Sequence, residues 1–313
     1  MTPIRIGARG SRLSRAQSGQ MQARIAAALG ADPRDAQTVA PLIWITTSGD
    51  RIQDRRLIEA GGKALFTKEI EAALLSGEID VAVHSLKDVP AETPPGLTLA
   101  CFPEREDPRD ALISVNWSGL DALPQGARIG TASLRRQAQL LARRPDLTIG
   151  MLRGNVDTRL AKLEAGEHDA IVLAAAGLKR LGLGDRITEL FDPVAAPPAP
   201  GQGALALQTR DADVDAPWVA ALRHPDTALA IEAERAAMEI LEGSCRTAIG
   251  AHARVEGPDL LLVVEALTAD GAERWRREGR IARGDGEVAR ARTLGLELGG
   301  QVREAAGDRL LVV

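Results

Sequence analysis

Short apolar runs alternate with amphipathic helical stretches from the N-terminus to residue 174, and that alternation restricts the fold before any motif is read. Residues 4–7 read as a strand and 14–29 as a helix with Met21, Ile25, Ala28 and Leu29 on one face. Residues 42–46, Val81–Ser85 and Leu97–Cys101 continue as strands, and 64–75 is a helix carrying Ile70 and Leu74 at the expected spacing. This order predicts α/β units built on largely parallel sheets.

The charged, proline-bearing stretch Phe102-Pro-Glu-Arg-Glu-Asp-Pro-Arg-Asp110 interrupts the pattern, which then restarts. Strands at 111–115, 128–130, 147–152 and 170–174, with helices at 133–143 and 155–166, predict a second α/β domain. It ends in the stiff segment 193–201. One more strand-like run, 204–208, has no domain that sequence alone can assign. The C-terminal part changes character: a helix at 226–241, β-like runs at 249–255 and 260–268, a polar stretch, a long helix over 286–304 and an apolar run at 310–313. These predict a small α+β domain. A chain of 313 residues exceeds what one hydrophobic core usually serves, so two or three domains are expected.

Charge and composition exclude several classes. Lys+Arg total 39 against Asp+Glu 43, a net charge of −4, and aromatics are 2%. A globally basic nucleic-acid binder is disfavoured, although a local basic cleft is not. Cys101 and Cys245 cannot make a disulfide framework, which fits a reducing compartment. No run approaches the roughly 18 apolar residues of a membrane span. A cytoplasmic protein with no membrane and no nucleic-acid partner is therefore expected. Gly201-Gln-Gly203-Ala-Leu-Ala206 resembles a dinucleotide fingerprint but precedes a strand, the wrong way round. The four His show no metal-ligand spacing, so neither a nucleotide nor a metal is expected.

The polar clusters share one position, the end of a strand or the start of the following helix. In open α/β sheets ligands bind there, and helix N-termini offer N–H groups to anions. They are Ala8-Arg9-Gly10-Ser11, His84-Ser-Leu-Lys87-Asp88-Val-Pro90, Gly130-Thr131-Ala-Ser133-Leu-Arg135-Arg136 and Arg153-Gly-Asn155-Val-Asp-Thr-Arg159. Singly, each reads equally as a cap or a solvated turn, and Ser133 is a good N-cap in any case. Together they imply a cleft lined with Arg for a ligand bearing several carboxylates or phosphates, which guanidinium pairs bidentately. Asp88 either caps its turn or pairs with Lys87, or is a carboxylate held in a cationic site to stabilise a developing cation and shuttle protons. Cys101 reads as an inert core thiol. Cys245, in Leu241-Glu-Gly-Ser-Cys245-Arg246, is balanced between an ordinary turn residue and a reactive thiol favoured by the adjacent Arg.

These motifs, with Gly61-Gly-Lys63-Ala-Leu-Phe66, Glu104-Arg-Glu-Asp-Pro-Arg-Asp110 and Gly177-Leu-Lys-Arg180-Leu-Gly, resemble those of the porphobilinogen deaminase (hydroxymethylbilane synthase) family. The resemblance covers nearly the whole chain. It implies two similar α/β domains of the type II periplasmic-binding-protein kind plus a small C-terminal α+β domain. The implied bounds are 1–101 with 201–219, then 106–196, then 225–313, the last carrying the cofactor-attachment cysteine. It also implies a transferase of tetrapyrrole (haem) biosynthesis, monomeric, with a dipyrromethane cofactor in thioether linkage to Cys245. Four porphobilinogen molecules would be condensed onto that primer with loss of ammonia, and hydroxymethylbilane released by hydrolysis.

Carried over by motif, Asp88 is the catalytic carboxylate. Lys87, Asp50, Thr131, Ser133, Arg135, Arg136 and Arg159 match cofactor-binding positions. Arg9, Ser11, Gln17, Lys63, Phe66, Arg153, Asn155, Arg180 and Gln202 match substrate-binding positions. The chain departs from the family pattern at Glu59, where a basic loop residue is common, and at Ser244, where Gly is commoner before the cysteine. A non-catalytic two-lobed anion-binding protein is the alternative that shares this architecture.

Overall fold

The computed structural model describes residues 2–51, 64–241 and 248–310. The chain divides into two compact units, Met1–Glu106 with Gly203–Ala228, and Asp107–Gln202 with Leu229–Val313.

The first unit is built on five strands, β1 (Ile6–Arg9), β2 (Leu42–Ile45), β3 (Val81–Ser85), β4 (Leu97–Cys101) and β10 (Leu205–Arg210), in the order β2-β1-β3-β10-β4. The run at 204–208 thus belongs to this sheet. Helices α1 (Arg12–Ala28), α2 (Ala36–Val39), α3 (Ser48–Arg51), α4 (Lys68–Leu75) and α8 (Pro217–Ala220) accompany it. Apolar side chains cover the sheet on two sides. Ile25, Val81, Leu207 and Trp218 form one cluster, and Ile70, Leu74, Ile79 and Ala82 another. The helix expected from residue 64 starts at Lys68, because Ala64 sits at φ 58°, a left-handed conformation that cannot begin a right-handed helix.

The second unit repeats this order. Strands β5 (Asp110–Ile113), β6 (Arg128–Gly130), β7 (Thr148–Gly150), β8 (Ala170–Ala174) and β9 (Glu189–Leu190) run β7-β6-β8-β5-β9, with α5 (Leu134–Arg143), α6 (Val156–Glu164) and α7 (Ala175–Arg180). The expectation of largely parallel sheets holds for four of the five strands in each, with one exception apiece. In each, three strands are parallel neighbours, while β10 and β5 run antiparallel to both of theirs. Neither is reached through the strand–helix–strand crossover that enforces parallel pairing: β5 opens the unit and β10 follows the long 193–204 stretch.

The same unit contains a three-stranded antiparallel sheet, β11 (Ala248–Glu256), β12 (Asp259–Leu267) and β13 (Arg274–Ala282), packed on α10 (Glu287–Ala306) and on α9 (Pro225–Leu241) from Leu229 onward. The two helices approach closely: a Cβ at Gly295 would lie 2.2 Å from the Ala233 carbonyl oxygen. Strand β13 falls where the sequence reads as a polar stretch. It is an edge strand with only Trp275 buried, held by backbone pairing to the apolar β12, and its Arg side chains hide the alternation. The fold is therefore the expected one, two α/β sheets of five strands and a smaller C-terminal α+β part. No helix among the described residues is long and apolar enough to cross a membrane.

Candidate functional site

In the first unit, Arg9 closes β1 and donates to Asp50 Oδ1 from Nη2 at 2.5 Å and from Nε at 3.1 Å. Its guanidinium carbon stands 4.0 Å from the centre of the Phe66 ring. Asp50 Oδ2 also accepts from the Thr47 amide and hydroxyl. Burial alone would raise the Asp50 carboxyl, but Arg9 and Thr47 outweigh it and hold it below the usual carboxylate range. Gly49 permits the ring's approach, since a Cβ there would fall 2.2 Å from Phe66. Three residues from separate stretches of the chain thus form one cluster of cation, carboxylate and aromatic face.

Ser11 caps α1 by accepting from the Ser14 amide, and the buried Gln17 exchanges hydrogen bonds with Ser85 at the end of β3. The chain then makes a single 3-10 turn, Leu86–Asp88, that leaves Lys87 exposed and Asp88 half-buried. The Asp88 carboxylate makes no hydrogen bond or ion pair among the described residues, so it neither caps the turn nor pairs with Lys87.

Behind this turn lies a buried polar chain. His84 Nε2 is 3.0 Å from Gln208 Oε1, and Gln208 Nε2 donates to Glu71 at 3.3 Å. Burial, with some help from Arg9, pushes the His84 pKa down to about 4 from 6.5. The ring is neutral in the fold and takes a proton only on unfolding, so stability falls as pH drops from 6.5 towards 4. The loss is about 3 kcal/mol across that window. A His84→Asn variant should show a flatter stability profile in urea titrations between pH 7 and 4; an unchanged slope would discard His84 as the group responsible.

In the second unit the polar side chains gather around Asp110, the first residue of β5 and 1% exposed. Arg135 Nη1 donates to Oδ2 at 2.6 Å, Arg136 Nε to Oδ1 at 2.9 Å, and Gln202 Nε2 to Oδ1 at 2.9 Å. Desolvation opposes ionisation of Asp110, yet the two guanidinium groups hold its carboxyl far below the usual range. Thr131 Oγ1 accepts from the Ser133 amide, and Ser133 caps α5 through the Arg136 amide. Asn155 caps α6 through the Thr158 amide and hydroxyl. Arg159 donates to the Gly154 carbonyl, where φ is 111°. Partial burial lowers the Arg153 pKa, a sign of a guanidinium drawn out of water. Arg180 ends α7, half-buried.

The structure thus joins Arg9, Asp50 and Phe66, joins Arg135, Arg136 and Gln202, and places Ser133 and Asn155 as caps. Lys63, Cys245, Glu59 and Ser244 lie outside the described residues. Cys101 is buried, and burial pushes its thiol up to about 11, as an inert core thiol requires. Sequence reasoning missed Asp110 as the organiser of the second cluster. Its signal was an acid opening the wholly buried strand Asp110-Ala-Leu-Ile, a place that an unpaired carboxylate does not tolerate.

Two sheets of like order, each with guanidinium and hydroxyl groups at strand–helix junctions, define an α/β protein with cationic and hydrogen-bonding groups at the sheet edges where such folds bind ligands. The comparisons with known proteins narrow this. Residues 4–217 match the family described as "Porphobilinogen deaminase, dipyromethane cofactor binding domain", and 228–304 match "Porphobilinogen deaminase, C-terminal domain". Proteins named porphobilinogen deaminase from Caulobacter sp. (strain K31) and Phenylobacterium zucineum (strain HLK1) are 66% and 62% identical to this chain. Each alignment spans 99% of this chain and 98% of the relative. The chain belongs to the porphobilinogen deaminase family. Among solved structures, a nutrient-binding protein from Burkholderia cenocepacia bound to methionine is similar at 17% identity and a TM-score of 0.42, over 70% of this chain and 89% of that one.

The family's dipyrromethane cofactor carries acid side chains and pyrrole N–H groups, and the described residues suit both. Arg135 Nε and Nη2 make no hydrogen bond to any described residue and can meet a carboxylate. In the first unit, the Asp88 carboxylate has no partner among the described residues and can accept from an N–H group.

Proposed function

We propose that this chain joins four porphobilinogen molecules head to tail into hydroxymethylbilane, as a transferase of tetrapyrrole biosynthesis. The single observation that carries this reading to the residue level is the Asp88 carboxylate, held on the turn after β3 with no partner among the described residues. A carboxylate left uncommitted by the fold is available to a substrate.

At each addition the substrate's aminomethyl C–N bond breaks and ammonia leaves. A C–C bond then forms to the free α-carbon of the terminal pyrrole, whose proton is lost. Asp88 would accept a hydrogen bond from the substrate's pyrrole N–H, offset the positive charge left as the amine departs, and take the proton from the attacked ring carbon. When bound, the cofactor supplies the first free pyrrole α-carbon, and we assign its thioether linkage to Cys245. Arg135, Arg136, Arg159, Lys87, Thr131, Ser133 and Asp50 would hold its acid groups and rings. Arg9, Ser11, Gln17, Lys63, Phe66, Arg153, Asn155, Arg180 and Gln202 would serve the incoming substrate and the growing chain. Acetate and propionate groups left unpaired away from water would be costly, which is the physical reason for so many guanidinium groups.

The proposal keeps three domains, 1–101 with 201–219, 106–196 and 225–313, and a monomer working in the cytoplasm. The non-catalytic anion-binding alternative finds no support in relatives that share the family name along nearly their whole length.

Intact mass of the denatured protein, alone and after incubation with porphobilinogen, tests this reading. The expected result is a covalent addition of two linked pyrroles, absent from Cys245→Ala, and further additions of one pyrrole unit each on incubation. A chain that stays unmodified under both conditions would refute it.

A further inference from the structure

Asp110 divides the labour of the two arginines beside it. The Arg136 group bonds within the protein at every nitrogen: Nε donates to Asp110 Oδ1, Nη1 to the Val172 carbonyl at 3.0 Å, and Nη2 lies 2.8 Å from Asp110 Oδ1 and 3.3 Å from Gln202 Oε1. Arg135 is held at one end only. Its Nη1 serves Asp110 Oδ2 at 2.6 Å, Gln139 Oε1 at 2.9 Å and the Pro197 carbonyl at 3.2 Å. Gln139 is itself fixed, donating to Pro197 and to Glu265, which is fully buried. The Nε and Nη2 groups of Arg135, the pair that binds a carboxylate side-on through two parallel hydrogen bonds, make none to the described residues.

We infer that Asp110 is a positioning residue: by taking the Nη1 end of Arg135 it keeps the Nε–Nη2 edge aligned for one carboxylate of a bound ligand. On the functional reading above, on which this rests, that carboxylate is an acid side chain of the cofactor. Charge supports the same arrangement. Two buried guanidinium groups and one carboxylate leave one positive charge out of water, and one ligand carboxylate neutralises it.

The test compares wild type, Asp110→Asn, Arg135→Leu and the double variant by intact mass, with the folded fraction of each read by circular dichroism. Asp110→Asn keeps the shape and one acceptor but loses the charge, and its amide N–H must face a guanidinium. Fewer purified chains should carry the covalent addition. The porphobilinogen concentration that half-loads the remaining chains should rise about tenfold, the loss of one charge-assisted contact. Because Asp110 acts through Arg135, the double variant should load no worse than Arg135→Leu alone. Wild-type loading of folded Asp110→Asn, or penalties that multiply in the double variant, would overturn the proposal.

Should Asp110→Asn fail to fold, Gln139→Leu takes its place, since it removes the second clamp on Nη1, along with Gln139's own bonds to Pro197 and Glu265, and leaves Asp110 in place. Loading should then weaken about threefold, and wild-type loading would count against positioning. If wild type itself never gains mass from porphobilinogen, the functional reading falls and this one with it.

Discussion

Asp88→Asn should fold with an unchanged urea midpoint, keep its covalent cofactor, and lose about 10²- to 10⁴-fold of its turnover. The fold gives no reason for a stability penalty. Asp88 is half-buried on a short turn, and its carboxylate holds no group among the described residues that the change would orphan. Substitutions at such positions usually stay within about 0.5 kcal/mol. Chemistry is another matter. The amide can still accept a hydrogen bond from a pyrrole N–H, but it brings no negative charge to a developing cation and cannot take a proton. Porphobilinogen consumption, measured beside the mass spectrum that reports loading, separates the two effects. Turnover within a few-fold of wild type, on fully loaded protein, would remove Asp88 from the chemistry.

Asp110→Ala should have the opposite signature, a loss of stability of about 3–5 kcal/mol at neutral pH. Both guanidinium groups that it pairs with are buried, at 5% and 8% exposure, and cannot turn to water without dismantling the start of α5. Gln202 would also lose its acceptor. The pH dependence gives an internal check. The carboxyl's pKa is depressed in the fold, so its contribution is fully present above the ordinary carboxylate range and is lost as pH falls through the folded value. Wild type and Asp110→Ala should therefore differ most in urea midpoint near pH 7 and converge in strong acid. Equal midpoints at pH 7 would mean that the buried network relaxes at little cost.

Much of this molecule was legible in its residues, for identifiable reasons. Val81–Ser85, Leu97–Cys101, 128–130 and 170–174 form strands at the expected positions because short β-branched or apolar runs bounded by polar residues have few other ways to be buried. Ser133 and Asn155 cap helices as their side chains dictate locally. Strand β13 was not legible, because its place is set by hydrogen bonds to β12 and not by its own Arg-rich pattern. The onset of α4 was missed because one backbone angle at Ala64 defers it.

The candidate site divides along the same line. Arg9, Arg135, Arg136 and Asp88 stood out as polar residues at strand–helix junctions, and the family motifs gave them roles. What no local pattern contains is partnership across distance. Asp50 belongs with Arg9, 41 residues away, and Asp110 with Arg135 and Gln202, 25 and 92 residues away.

Sequence by itself determined the class of fold, the helix caps and the kinds of side chain at the junctions, since these follow from periodicity and from interactions within a few residues. Tertiary structure alone decided the direction of β5 and β10, the pairing of buried charges, and which polar groups are left for a ligand. Those depend on how distant segments meet out of water, where a carboxylate's partners decide whether it holds the fold, as Asp110 does, or stays available, as Asp88 does.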